Sequence, residues 1–192
     1  MDTRPQQARA TTVRLYAVGA IFLVPLSIGV LLVNSSASQN AHANEISRDV
    51  ASMYAQGIDF SKSANRNIVL RAAEGMGVNI EQGHGVLILS KIRVVHDSDC
   101  PSEQPANCTN KGYAVVTQRY VIGNPALRAS SFGIPAKVDA ATGNVRNWAG
   151  DISARAKDFT TRLSPGESTY VAECYLTAPE SQHTGVYSRS MF

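Results

Sequence analysis

The chain has 192 residues, 44% of them hydrophobic and 17% charged, with a formal net charge of +3. That is globular composition, with length for one domain of ordinary size once a membrane segment is subtracted. Arg4, Arg9 and Arg14, opposed near the start only by Asp2, carry most of the positive excess. The rest of the chain is close to neutral and lacks the basic footprint of a nucleic-acid binder.

The first 14 residues form a short basic leader. From Leu15 to Val33 the sequence LYAVGAIFLVPLSIGVLLV carries no charge. At about 1.5 Å per helical residue this run nearly spans the ~30 Å hydrocarbon core of a bilayer. Arginines occupy only its N-terminal flank, while NSSASQNAHANE follows it. The positive-inside bias therefore predicts a cytoplasmic N-terminus and an exported remainder. Pro25 predicts a kink that membrane helices tolerate. Gly19 and Gly29, with Ala17 and Ala20, offer small surfaces for close helix packing. Ser35 and Ala37, or Ala41 and Ala43, also fit the small-residue spacing of a cleaved secretory signal, although the apolar run exceeds the usual length of one.

Residues 34–44 are a Ser/Asn/Ala-rich candidate linker. Beyond them Ile46, Val50, Met53 and Tyr54 recur at helical spacing, predicting an amphipathic stalk over 34–57. Gly57 ends it. Asp59, Ser61 and Ser63 are candidate N-caps for a second helix carrying Ile68, Val69, Ala72 and Ala73, which Gly75 and Gly77 would stop. After His84 the pattern turns to strands. Residues 86–95 place Ile88, Ile92 and Val94 on one face with Lys91 and Arg93 opposite, and 113–122 form a second strand, predicting an antiparallel hairpin with a long tip. Asn124-Pro125 and Thr142-Gly143 mark turns. DISARAKDFTTRL at 151–163 reads as a helix presenting Ile152, Phe159 and Leu163. Pro165-Gly166 is a turn, after which 166–177 alternate Tyr170, Ala172, Cys174 and Leu176 against Glu173, Tyr175 and Thr177 as a third strand. No repeat of solenoid period is present.

The three cysteines do not suit zinc, because no C-x-x-C occurs and the four histidines are scattered. Cys100 and Cys108 are expected to form a disulfide closing the hairpin tip, in an exported domain where pairing is favoured. Such a loop is expected to add roughly 2–3 kcal/mol of stability. Cys174 is expected to be a buried small hydrophobe. His96, Asp97, Asp99 and Glu103 resemble a cation site only loosely, with no calcium-loop spacing or central glycine, so a solvated polar loop is the expectation. There is no G-x-S-x-G, no H-E-x-x-H, and no nucleophile with a recognisable base. GMGVNIEQGHG does not stand between a strand and a helix as a phosphate site requires. The expectation is a chain with no catalytic residues, metal, cofactor or small-molecule substrate. Asn34-Ser35-Ser36 and Asn107-Cys108-Thr109 match glycosylation acceptors, relevant only in a eukaryotic source.

A basic leader, an apolar helix, a helical stalk and a strand-rich head follow one another as in pilin-like proteins. The chain resembles the TadE-like minor pseudopilins of the bacterial tight-adherence (Tad or Flp) pilus. The resemblance rests on ARATTVRLYAVGAIFLVPL at 9–27, DVASMYAQGIDF at 49–60 and GESTYVAECYLT at 166–177. It implies an α+β fold, with a transmembrane and stalk helix followed by a small pilin-like head containing an antiparallel sheet. The implied divisions are 1–14 leader, 15–33 membrane helix, 34–57 stalk and 58–192 head. The family's leader-peptidase cut would fall after Ala10, leaving Thr11 first and Tyr16 at the aromatic position. Leu15 stands where the family carries glutamate. The implied role is that of a non-enzymatic subunit, single-pass in the bacterial inner membrane with its head periplasmic or on the pilus. Its implied partners are other pilin subunits and the assembly machinery. The alternative from the residues themselves is a membrane-anchored binding or sensory domain that uses the Cys100 to Cys108 loop for recognition.

Overall fold

A computed structural model of the chain describes residues 38–75, 80–100, 107–157, 159, 161–178 and 181–192. The leader, the apolar segment, Ala10, Thr11, Tyr16, Gly19 and Gly29 lie outside these residues. Among the described residues no helix is long and apolar enough to cross a membrane. The chain divides between Gln39 and Asn40, and the architecture below is that of Asn40–Phe192.

The fold is α+β: two helices and an irregular layer enclose a four-stranded antiparallel sheet. Residues 40–55 are helical and form α1 of this unit. Ala43, Ile46, Val50, Ala51 and Tyr54 are all buried along one stripe, as three- and four-residue spacing dictates. Met53, expected on that stripe, is partly buried at its margin. The helix stops at Gly57, which adopts φ 88. There the Ile58 amide reaches the Met53 carbonyl and the Gly57 amide that of Tyr54, the paired bonds that close helix C-termini.

Helix α2 runs Ser63–Gly75. Val69 and Ala73 are buried as expected, but Ile68 is 55% exposed and Ala72 is also exposed. The four-residue face predicted for α2 narrows because the helix lies at the periphery and touches the core along one line.

Strands β1 (Gly85–Val94), β2 (Ala114–Gly123), β3 (Ser168–Ala178) and β4 (Ser181–Met191) are ordered β2-β1-β3-β4. The β1–β2 hairpin and β3 fall where periodicity places them; β4 has no counterpart in the sequence reading. Leu87 lies between Ile122 and Cys174, and Leu89 between Tyr120 and Ala172. These residues join the α1 stripe, Phe60, Val69, Ala73 and Ile80 in one core. Because β1 is central and covered on both faces, Val86, Ile88, Ser90 and Ile92 are buried too.

That second face is closed by residues 124–163, of which the described ones contain almost no regular structure. Phe132, Val145, Ala149 and Ala154 pack there with Ile92, Val95, Val115, Val116 and Val171. The helix expected over 151–163 is not formed. A single turn at Ile152–Ala154 is capped by the Asp151 side chain, which accepts from the Ser153 amide. Arg155 then bridges to Val115, and the Ala156 amide bonds to the Ala114 carbonyl. The backbone satisfies itself along the edge of β2 rather than in an i to i−4 ladder. Ile152 is 60% exposed, while Phe159 stacks edge-on against Phe132.

Candidate functional site

The hairpin tip is the part of the sheet most elaborately braced. Cys100 and Cys108 are bonded, with Cα atoms 5.5 Å apart, and residues 101–106 of the loop they close lie outside the described residues. On the β1 side, Arg93 grips Asp99 through two nitrogens at 3.2 and 3.0 Å, a bidentate pair favoured by the planar guanidinium. His96 Nδ1 accepts from the Ser98 amide while Asp99 accepts from the His96 amide. Asp97 pairs with Lys111 at 2.9 Å. His96, Asp97 and Asp99, which resemble a cation site only loosely, are engaged with their neighbours, and Glu103 lies outside the described residues. Among the described residues no three metal-ligating side chains cluster.

On the β2 side, fully buried Asn110 is the hub. Its Nδ2 donates to the Trp148 and Asp151 carbonyls at 2.8 and 2.6 Å, and its Oδ1 accepts from Arg155 Nε at 2.8 Å. Arg155 also donates to the Thr109 carbonyl, and its guanidinium lies 3.9 Å from the Tyr113 ring centroid. Thr109 Oγ1 donates to the Gly150 carbonyl. At Gly150 a β-carbon would come within 2.4 Å of the Asn107 carbonyl, so this close approach needs glycine. The disulfide loop is therefore bolted to the turn at 147–151.

A second polar network lies beneath 130–133. Arg119 donates to Ser90 Oγ, the Phe132 carbonyl and the Gly133 carbonyl at 3.2 Å or less. Burial pulls its guanidinium pKa down to about 10, against the opposing pull of the Glu173 carboxylate. Glu173 accepts from Ser130 Oγ, the Ser131 amide and the Tyr187 hydroxyl. These groups are spent on holding the loop to the sheet. Cys174 is buried and unbonded, its thiol pushed up to about 12 by burial.

Sequence reasoning found the cystine and the burial of Cys174, but not Asn110, Arg119, Arg155 or Glu173 as a bracing set. The available signal was a charged residue inside each of two otherwise strand-like runs, Arg119 and Glu173. Comparison of the chain with family models, curated proteins and solved structures yields no match.

Proposed function

We propose that the chain is a non-enzymatic, membrane-anchored pseudopilin-like subunit that assists assembly of a Tad/Flp-type adhesion pilus or forms part of it. One observation carries the reading. The uncharged run Leu15 to Val33 leads within a few residues of sequence into α1, and α1 is fused by its apolar stripe to an antiparallel sheet. The cystine at the hairpin tip supports an exported location, since such bonds persist in oxidising compartments.

The test is genetic and biochemical. Deletion is expected to abolish surface attachment, and the tagged chain, resistant to alkaline carbonate washing of membranes, is expected to co-purify with other pilus subunits. Release by carbonate, or attachment unchanged on deletion, overturns the proposal. The bracing of the Cys100 to Cys108 loop favours a second reading, a binding or sensory domain. Its signature would be normal attachment together with a ligand-dependent function lost in Cys100→Ser.

A further inference from the structure

The two edges of the sheet are treated differently. On β2, the Arg119 amide bonds to the Gly143 carbonyl, the Val145 amide to the Thr117 carbonyl, and the Ala156 amide to the Ala114 carbonyl. Residues 114–119 of that edge are covered in this way, while Val121 beyond them is exposed. On β4 nothing comparable occurs among the described residues. A bare strand edge is a template for another strand, and proteins usually blunt it with lysine, proline or a bulge. From Gly185 to Met191 the sequence GVYSRSM has neither lysine nor proline and a single charge, Arg189; pairing with β3 is regular over that stretch, with a register shift just beyond it between Thr177 and Ala178.

The register says which partner fits. Tyr170 and Phe192 exchange both backbone bonds, at 2.8 and 2.9 Å, so they form a hydrogen-bonded pair and the ladder alternates from there. Residues 186, 188 and 190 turn their amides and carbonyls to β3; 185, 187, 189 and 191 turn theirs outward. A second β4 can pair antiparallel with all four outward residues only if the two-fold axis passes between the two copies of Ser188. Tyr187 then lies opposite Arg189 of the other copy, and Gly185 opposite Met191. A two-fold at residue 189 would set two arginines side by side, and one at 187 would leave Met191 outside the regular ladder. The Ser188 register alone uses the whole edge and keeps the two copies of Arg189, each lying over Phe132 of its own chain, from facing one another.

Beside the strand's end, Asn44, Glu45, Arg48, Asp49 and Ser52 of α1 and Phe192 line one open groove. Glu45, Arg48 and Asp49 form no ion pair among the described residues.

We propose that β4 is a homodimerisation edge, joining two copies of this chain into a continuous eight-stranded sheet about a two-fold at Ser188. The inference does not depend on the pilus reading, because it is tested on the purified full chain without other subunits.

Two measurements test it. Light scattering of the detergent-solubilised chain at micromolar concentration is expected to give a dimer, and Arg189→Pro is expected to give a monomer. Proline there removes an outward amide that β3 does not use. Separately, Ser188→Cys in a Cys174→Ala background is expected to form a covalent dimer on mild oxidation in membranes, because facing residues at the axis would have Cα atoms about 4.5 Å apart. A monomeric parent chain overturns the proposal. So does a dimer that survives Arg189→Pro and fails to cross-link at 188, which would place association elsewhere. Capture of a different protein's strand at this edge, with the parent monomeric, also overturns it. Should Arg189→Pro fail to fold, the cross-link decides alone.

Discussion

The two faces of the sheet are closed by different physics. On one, α1 presses Ile46, Val50 and Tyr54 onto Leu87, Leu89, Ala172 and Cys174, and stability comes from apolar area removed from water. The polar groups there are few: Ser47 meets Ser188 and Ser190 at 2.9 and 3.1 Å. On the other face, an irregular layer brings its backbone carbonyls with it, and these must be satisfied where water is excluded. Arg119 and Glu173 supply the donor and acceptor capacity that a helix would have provided internally. A regular element carries its own hydrogen bonds into the core, whereas a loop used as a wall borrows them from side chains.

The sharpest way to break that comparison is Arg119→Ala. It strips the donor from Ser90 Oγ and from the Phe132 and Gly133 carbonyls. The expected loss is on the order of 3–5 kcal/mol, at roughly 1–3 kcal/mol for each buried group left unsatisfied. Urea unfolding of the full chain in detergent, followed by far-ultraviolet circular dichroism, measures it. A cost near that of a surface substitution, roughly 0.5 kcal/mol, would show that the irregular layer holds without its polar ties.

The matching change on the helix side is Leu89→Ala, at a fully buried position with apolar neighbours on both flanking strands. Lost transfer energy plus a residual cavity predict about 2–4 kcal/mol. The two variants should also differ in location. Hydrogen exchange is expected to rise first in α1 for Leu89→Ala, and in residues 130–133 for Arg119→Ala. Identical exchange patterns would mean the sheet transmits both losses equally and the two faces are one cooperative unit.

This contrast explains what was legible. The stripe of α1, the Val69 and Ala73 positions of α2, the β1–β2 hairpin and β3 follow from spacings of 3.6 and 2, which single sequences record directly. The cystine followed from two cysteines at a hairpin tip. Residues 124–150 have no period to read. The backbone of 124–163 is held by Asn110 and Arg119, partners distant in sequence, and the helical pattern of DISARAKDFTTRL is overridden by edge pairing with β2. Strand β4 escaped for another reason. Its sequence SQHTGVYSRSM is mostly small and polar because Ser188 and Ser190 pack under Ser47 and Asn44 rather than in an apolar core.

A smaller effect sharpens the comparison at the hairpin tip. Cys100→Ser with Cys108→Ser reopens a loop of about nine residues and is expected to cost roughly 2–3 kcal/mol on the chain-entropy account. Because Asn110 and Arg155 bolt that loop to the turn at 147–151, amide exchange should rise at Thr109 to Tyr113 and 147–151 while α1 is unchanged. Loosening of α1 in the same variant would show that the tip braces the whole fold.

The smallest effect concerns the turn that covers the edge of β2. Asp139 accepts from Arg146 at 2.9 Å and from the Thr142 and Ala141 amides, and these bonds hold its pKa down to about 2. The turn positions Gly143, whose carbonyl takes the Arg119 amide and whose φ of 71, with Tyr120 packed against it, admits no other residue without strain. A carboxylate with a lowered folded-state pKa stabilises fully above its unfolded value near 4, and that contribution is lost as the pH falls toward 2. Arg146→Ala removes the largest contributor, so the Asp139 titration followed by carboxyl carbon NMR should move up toward 4. The side chain is exposed, and global stability should barely change. Titration of the parent chain near 4 would mean that the carboxylate does not organise this turn, leaving the cover of the β2 edge to the backbone bonds of Gly143 and Val145.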